Sequence, residues 1–147
     1  VEKAIVKRGL TASVIKKEID KIQSKDALAE IMLIGDFNEN PDDVNVESIE
    51  KLNFKNLMKP MIGKPKVGTY VYRRKDYLYD QIIVSKGLDD KKNLSVAKNS
   101  TFILDTPKYR QQEGSYKHYP FRFWAGNRLL GGYSDHLAIK VLIKNVN

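Results

Sequence analysis

Apolar residues in the first part of the chain recur every three or four positions, with lysines between them. The residues that form this stripe are Ala12, Ile15, Ile19 and Ile22. The spacing predicts an amphipathic helix over residues 11 to 24, with Thr11 as its candidate N-cap. The next apolar run, EIMLIGD, shows no polar alternation, which indicates a central strand covered on both faces rather than an edge strand.

Strand patterns dominate the second half of the chain. Segments rich in β-branched and aromatic residues, which favour strands, occur in the order VGTYVYR, YLYDQIIVS, STFILD and LAIKVLIK. The polar RKD between the first two predicts a hairpin, and a short helix is expected at ESIEKL after Pro41. Residues 86–132 contain scattered Pro and Gly and are expected to be rich in loops. The whole pattern predicts an α/β fold.

The composition is that of one globular domain or part of one, with 147 residues, 41% hydrophobic and 30% charged. The absence of cysteine excludes disulfides, thiolate metal sites and a cysteine nucleophile. No apolar stretch approaches the roughly 20 residues that cross a bilayer. A first residue other than Met, without a signal-peptide pattern, suggests a trimmed, cleaved or cloned piece of a soluble protein. The compartment stays open between cytoplasmic and exported.

The charge is strongly positive and unevenly distributed. Lys and Arg number 26 against 18 Asp and Glu, a formal net charge of +8. This excess favours nucleic acid or phosphate esters as partners, and solubility alone is the alternative explanation. Carboxylates crowd residues 36–50, whereas cations cluster at residues 64–75. An acidic spot within a basic chain is typical of a cation site that serves an anionic substrate.

The GDFN motif at the end of the predicted EIMLIGD strand is the first candidate for chemistry. Asp36 and Asn38 are two residues apart, so in an extended chain both project to the same side. The carboxylate suits the activation of a water, and the carboxamide suits hydrogen bonding to a phosphoryl oxygen as charge develops. The alternative is an Asx turn that leads into Pro41.

Asp80 and His136 form a second candidate pair. Asp80 shares a strand face with apolar residues in YLYDQIIV, and an unpaired buried carboxylate is costly, so it needs a donor. The ring of His136, at the mouth of the last strand, is placed to reach Asp80, which would fix its tautomer and leave the other nitrogen for a substrate. The alternative partner of Asp80 is a Lys or Arg. Asp135 should point to the opposite face, for cation binding or as a backbone cap. His118, in SYKHYPF, is expected to pack or lie at the surface, with pocket lining as the alternative.

Three motifs in order, GDFN, the Asp80 strand YDQIIVS and GGYSDH before an apolar run, resemble the endonuclease/exonuclease/phosphatase superfamily, which has the DNase I-like fold. The resemblance extends from about Arg8 to the end and is closest to bacterial members. It implies a phosphoesterase that depends on Mg²⁺ or Mn²⁺ and hydrolyses phosphodiester or phosphomonoester bonds with an activated water.

The resemblance also implies a role for each motif residue. Asp36 corresponds to the residue that activates the water, and Asn38 to the one that orients nucleophile and phosphate. Asp80 corresponds to the partner of the catalytic histidine, His136, which contacts the scissile phosphate. Asp135 corresponds to the Asp of SDH, so Asp36 and Asp135 are the expected carboxylates of the metal site.

Proteins of this family are about twice as long, and their first half supplies a second sheet and the glutamate that is the principal Mg²⁺ ligand. Residues 1–147 are therefore expected to form the C-terminal half of a four-layer α/β sandwich, with one mixed, mainly antiparallel sheet and flanking helices. The exposed sheet face is expected to pack on the missing half or on a second copy. Weak metal binding and little turnover are expected of this chain alone.

The loop-rich region from Tyr109 to Tyr133 is expected to determine substrate specificity. The side chains expected to contact it, by stacking or by gripping phosphate, are Arg122, Trp124, Arg128 and Tyr133. Packing within the loop is the alternative role for them. The alternative function is a non-catalytic module that binds phosphorylated ligands, nucleic acid or a protein partner. Five intact motif residues favour the enzyme, and the missing half favours the module.

Overall fold

A computed structural model describes the backbone of residues 2–146 and the side chains of residues 4–146. Within this range the helices are α1 (Glu2–Gln23), α2 (Val44–Glu50) and α3 (Lys86–Asp89), with 3₁₀ turns at Lys59–Met61 and Pro107–Tyr109. The strands are β1 (Met32–Asp36), β2 (Phe54–Asn56), β3 (Tyr70–Tyr72), β4 (Lys75–Tyr77), β5 (Asp80–Ser85), β6 (Leu94–Val96), β7 (Phe102–Ile103), β8 (Trp124–Ala125), β9 (Arg128–Leu129), β10 (Ile139–Lys140) and β11 (Ile143–Asn145). None of the described helices is long and apolar enough to cross a membrane.

The strand pairs described are antiparallel. The largest sheet has the order β1-β5-β2, and four two-stranded ladders join β3 to β4, β6 to β11, β7 to β10 and β8 to β9. Helices are few and lie outside these sheets. The predicted α/β class, with mainly antiparallel pairing and flanking helices, is confirmed.

The core lies on both faces of strand β5. Ile83 points to a cluster that includes Ile19 of α1 and Ile49 of α2, whereas Ile82 and Val84 point to a second cluster on the other face. All three β5 side chains are fully buried. Because alternate residues of a strand face opposite sides, an unbroken apolar run such as Ile82–Val84 suits a strand that is buried on both faces.

The first helix begins earlier than its predicted start at residue 11. Helix α1 starts at Glu2, and Thr11 lies in its interior, where Oγ1 donates a hydrogen bond to the carbonyl of Lys7 at 3.2 Å. Thr11 therefore is not an N-cap. Apolar side chains at residues 4 and 5 continue the helical pattern towards the N-terminus, and Gly9 does not end it, since a helix-interior glycine costs only about 1 kcal/mol.

The interpretation of EIMLIGD as a central strand is wrong for this chain. Strand β1 lies at the edge of its sheet, next to β5 only, and Ile34 is 55% exposed. The bonds Ser85 N–H to Ile31 O (2.9 Å) and Phe37 N–H to Tyr79 O (2.8 Å) fix the register at both ends of the β1–β5 ladder. By alternation, the N–H and C=O groups of Met32 and Ile34 face the open edge.

The predicted hairpin between VGTYVYR and YLYDQIIVS, with its turn at RKD, is only partly correct: the turn comes earlier, Lys75 and Asp76 of RKD lie in a strand, and the pairing ends at Tyr77. It consists of β3 and β4 with Arg73 and Arg74 at the turn, and the chain then leaves it to form β5 in another sheet. The final LAIKVLIK run likewise divides into β10 and β11, which pair with different partners. The ESIEKL helix begins three residues earlier, at Val44. The strand predicted at STFILD is confirmed at Phe102–Ile103, and 86–132 consists mainly of loops.

Candidate active site

Antiparallel pairing of β1 and β5 brings two carboxylates to one edge of the sheet. Asp36, the last residue of β1, lies directly opposite Asp80, the first residue of β5. Residues opposite each other in such a ladder have Cα atoms about 4.5–5.5 Å apart. Two motifs separated by 44 positions in the sequence therefore meet at a single point of the fold.

His136 completes this cluster. The segment before the last strands pairs with the start of the hairpin through a bridge between Tyr70 and His136 and a bond from Leu137 N–H to Thr69 O at 2.7 Å. This places His136 Nδ1 2.7 Å from Asp80 Oδ2, with 21% and 16% of the two side chains exposed. Across the part of the chain that is described, Asp80 forms no ion pair with a Lys or Arg.

The remaining ring nitrogen of His136 points towards Asp36. Nε2 lies 4.0 Å from Asp36 Oδ2, and 40% of the Asp36 side chain is exposed. The gap is too long for a hydrogen bond. It is of a size that a substrate oxygen or a water could bridge. Asp80 thus lies at Nδ1 of the imidazole, and Asp36 lies on the side of Nε2.

Asn38 is held by Asp36 in an Asx turn. The backbone N–H of Asn38 donates to Asp36 Oδ1 at 2.8 Å, and its side-chain Nδ2 donates to Oδ2 at 3.1 Å. Asn38 has φ 51°, a left-handed conformation that asparagine tolerates better than most residues. The sequence offered an Asx turn and a polar site as alternatives, but the structure contains both. The Asx turn itself orients the side chains of Asp36 and Asn38.

The surroundings favour the protonated form of His136. The hydrogen bond to Asp80 is the largest cause that raises the pKa of His136; burial opposes it, and the charges of Asp80, Asp36 and Asp135 add to the increase. His136 therefore keeps its proton to a higher pH than an ordinary histidine does. A cationic donor at this edge suits an anionic oxygen as its partner.

A column of aromatic rings supports His136 from the hairpin side. Tyr70 stacks on the imidazole with centroids 4.8 Å apart and planes at 28°, and Tyr79 stacks on Tyr70 at 5.6 Å. Thr69 Oγ1 accepts the backbone N–H of Asp80 at 3.2 Å. The sequence analysis did not single out Thr69 or Tyr70; their position at the start of a hairpin beside the Asp80 strand was the signal that could have found them.

A buried polar network fixes the loop that follows Asp36. Glu39, with only 7% of its side chain exposed, lies 3.1 Å from Arg8 Nε of α1, without the alignment of a hydrogen bond. Asn45 Nδ2 donates to Glu39 Oε1 at 2.8 Å, and Gln81 Nε2 donates to the Glu39 carbonyl at 2.8 Å. Oε1 of Glu39 is therefore engaged by both Asn45 and Arg8.

The residues expected to hold a metal supply only part of a site. No group of three or more His, Asp and Glu side chains within the described range is placed to hold a metal ion. Asp135 is exposed, and its charge is near enough to contribute to the raised pKa of His136. Mg²⁺ is often bound by one or two carboxylates together with waters and substrate phosphates, so the open carboxylate of Asp36 fits as one ligand.

The four residues expected to contact substrate lie in the loop-rich segment that precedes His136. Trp124 and Arg128 belong to the short β8–β9 hairpin, and Trp124 is 53% exposed. Tyr133 is 57% exposed and packs edge-on against Tyr109, with centroids 5.3 Å apart. Arg122 is half-buried next to this hairpin. No hydrogen bond, ion pair or ring contact described here joins these four side chains to Asp36, Asp80 or His136.

Gly132 allows a close backbone contact between the loop-rich segment and the residues that lead to the candidate active site. Tyr133 N–H donates to Phe121 O at 2.6 Å, and a Cβ added at Gly132 would lie 2.2 Å from the same oxygen. Only glycine permits this approach, which fixes the segment that leads to Asp135 and His136. His118, by contrast, is exposed and outside the cluster, with its carbonyl bound to Arg110 Nη1 at 2.5 Å.

The fold and the site together define an α/β domain with an Asp–His pair and a second carboxylate at one sheet edge. The sequence matches the model of the endonuclease/exonuclease/phosphatase family over residues 1–145. The chain therefore belongs to the endonuclease/exonuclease/phosphatase family, and the resemblance carried by its three motifs is confirmed. Members of this family usually hydrolyse phosphate esters. No curated protein matches the chain.

Proposed function

We propose that this chain carries the hydrolytic residues of a metal-dependent phosphoesterase, as the C-terminal portion of an endonuclease/exonuclease/phosphatase domain. The observation that carries the proposal is the position of His136, with Nδ1 2.7 Å from Asp80 and Nε2 4.0 Å from Asp36. A histidine oriented by one carboxylate and facing a second one suits proton transfer and charge stabilisation at a phosphoryl group.

Each residue of the cluster has a distinct role in this proposal. His136, protonated and held by Asp80, donates from Nε2 to a phosphoryl oxygen and stabilises the charge that develops there. Asp36 accepts a proton from the attacking water. Asn38 uses one of its two amide hydrogens to hold Asp36, and the other is free to orient the water or the phosphate. Asp135 is proposed to contribute to binding of the metal cation.

Mg²⁺ or Mn²⁺, bound in part by Asp36, would supply Lewis-acid stabilisation of the phosphoryl oxygens. The rest of its coordination must come from water, substrate or another polypeptide, because the described residues present no further cluster of ligands. The open edge of β1 and the cleft of about 720 Å³ between α1 and β1, which reaches Asp36 and Asn38, are the proposed place for such a polypeptide. The missing half of the domain or a second copy of the chain would each fit this description.

The proposal is tested by hydrolysis of bis-p-nitrophenyl phosphate and of supercoiled plasmid, with Mg²⁺ or Mn²⁺ and with EDTA. His136→Ala is expected to lower the rate of hydrolysis at least a hundredfold, since general acid–base groups contribute about 10²–10⁴-fold. His118→Ala is the matched control, because His118 is the second histidine of the chain and lies outside the cluster. Equal activity of the two variants would refute the assignment of His136.

A non-catalytic binding module is the second candidate function. The observation that favours it is the incomplete set of metal ligands among the described residues. Calorimetric titration with Mn²⁺ and a phosphate ester separates the two. Binding of the ester without hydrolysis, even after a complementing polypeptide is supplied, would support the module and exclude the enzyme.

A further inference from the structure

A cationic cavity lies at the far end of the hairpin whose first strand supports His136. It has a volume of about 610 Å³ and is bounded by the β3–β4 hairpin on one side and by residues 105–119 on the other. Lys66, Arg74 and Lys117 contribute exposed side chains to it. Among the residues described, none of these three side chains forms an ion pair or a hydrogen bond, so their charges are available to a ligand.

The other charged groups of the cavity largely cancel. Arg110 is held by Asp105 in a two-bond fork, Nε to Oδ1 at 2.7 Å and Nη2 to Oδ2 at 2.8 Å. Asp76 is the carboxylate that remains to oppose the three free cations. The cavity therefore has an excess of positive charge that no described protein group neutralises, which is the property of an anion site.

The hairpin turn carries basic residues where its geometry disfavours them. Arg73 and Arg74 have φ 47° and 63°, the positive values of a type I′ turn, in which Asn-Gly is the preferred pair. Lys66 and His118, which also line the cavity, have positive φ as well, 60° and 77°. Side chains that remain at disfavoured backbone positions indicate a use for the side chain itself.

The walls of the cavity are fixed by hydrogen bonds. Arg74 N–H donates to the hydroxyl of Tyr119 at 2.7 Å, which attaches the hairpin tip to the opposite loop. That loop is closed by Gln111 N–H to Tyr119 O at 2.8 Å and His118 N–H to Gln111 O at 3.0 Å. An arrangement held in this way loses little freedom when a ligand binds, which improves affinity.

The cavity lies along the hairpin from the candidate active site. Tyr70 at one end stacks on His136, and the turn at Arg74 is on the order of 10 Å away, from a rise of about 3.3 Å per strand residue. This span is too long for one phosphate group to reach both ends, so a ligand that contacts both must carry more than one phosphate. A simple phosphomonoester has no second phosphate to place there.

We infer that the cavity around Lys66, Arg74 and Lys117 binds a flanking phosphate of a single-stranded oligonucleotide whose scissile phosphate lies at His136. This inference rests on the proposed phosphoesterase function and names its substrate class. The free cations supply the attraction, and the fixed hairpin sets the spacing between the two phosphates. Nothing in it requires turnover, so it is testable by binding alone.

The test measures fluorescence anisotropy of a labelled twelve-nucleotide oligodeoxythymidylate in EDTA, which suppresses metal-dependent hydrolysis. The cavity variant is Lys66→Ala/Arg74→Ala/Lys117→Ala. The matched control, Lys17→Ala/Lys25→Ala/Lys92→Ala, removes the same charge at exposed positions outside the cavity. We expect about tenfold or greater loss of affinity in the cavity variant and at most about twofold in the control. The salt dependence should lose about 0.7 in slope per phosphate contact in the cavity variant.

A second variant separates binding from folding. Arg74→Gly places the favoured residue at the positive-φ position of the turn and should raise or preserve the melting temperature while it weakens oligonucleotide binding. Unchanged binding by Arg74→Gly, or equal losses in the cavity and control triple variants, would overturn the inference. So would binding of inositol hexakisphosphate, dependent on the cavity lysines, without binding of the oligonucleotide. None of these outcomes bears on whether His136 is needed for hydrolysis of bis-p-nitrophenyl phosphate, which tests the proposed function separately.

Discussion

The Asp80–His136 pair yields a prediction about stability against pH. In Asp80→Asn the side chain keeps its shape and still offers an oxygen to His136 Nδ1, but the acceptor loses its negative charge. Hydrogen bonds to charged groups contribute about 1.5–3 kcal/mol and neutral ones about 0.5–1.5 kcal/mol. Because both side chains are less than a quarter exposed, solvent screening is limited, and the charge is expected to contribute about 1 kcal/mol to the free energy of unfolding.

The sign of the pH dependence follows from the raised pKa of His136. A group whose pKa is higher in the folded than in the unfolded protein contributes its full stabilisation at pH values below its unfolded-state pKa, which is about 6.5 for histidine. The contribution is lost as pH rises through the higher folded value. The difference in unfolding free energy between the wild type and Asp80→Asn should therefore be largest below about pH 6.5 and should decrease as the pH rises through the raised pKa of His136.

Urea unfolding at a series of pH values measures this difference directly. The imidazole resonances provide a second readout, since the chain contains two histidines, and His118→Gln assigns the signal of His136. In Asp80→Asn the His136 titration should move to lower pH, because the cause that most raises its pKa is removed. A stability difference that is constant from pH 5.5 to pH 9, together with an unmoved His136 titration, would refute the reasoning.

Three further substitutions have defined outcomes. Ile83→Ala should lower the unfolding free energy by about 2–5 kcal/mol in urea titrations, because Ile83 is fully buried, whereas Ile34→Ala, at the exposed edge, should change it by less than about 0.5 kcal/mol; comparable losses would contradict the assignment of the core. Gly132→Ala should shift the His136 resonances and reduce hydrolysis, because its Cβ would meet Phe121 O at 2.2 Å; an unshifted spectrum would contradict this. Tyr70→Leu should slow turnover severalfold and displace the pH–rate profile, since the ring stacks on His136, and Tyr70→Phe should restore both; equal defects in the two variants would assign the effect to the hydroxyl.

The sequence identified the residues of the cluster but not how they meet. Asp36, Asn38, Asp80 and His136 were all singled out from motifs, and the structure places them together. That Asp36 and Asp80 would lie opposite each other depended on the register of two strands far apart in the chain. Apolar runs do not specify which residue pairs with which across such a separation, because a shifted register with the same faces buries equivalent side chains.

The errors in the fold have a common physical origin. An apolar run without alternation indicates burial on both faces, but it does not report whether a second strand pairs at the open edge, and β1 is an edge strand here. Likewise, Thr11 is a residue type common at N-caps, yet α1 already begins at Glu2, and Thr11 Oγ1 donates to the carbonyl of Lys7 instead. In both places one local signal was insufficient, because the position of β1 depends on its pairing partners and the start of α1 depends on the residues before Thr11.

The contact between Arg8 and Glu39 has a consequence for the electrostatic field at the active site. Glu39 lies three residues after Asp36, and its charge is offset by an arginine from the first helix. Without the Arg8 side chain, Glu39 would be a nearly buried, uncompensated carboxylate, an arrangement that costs about 3–5 kcal/mol. The same loss would add negative potential beside Asp36 and Asn38. The docking of α1 thus sets both the stability of the GDFN loop and the charge that a substrate meets.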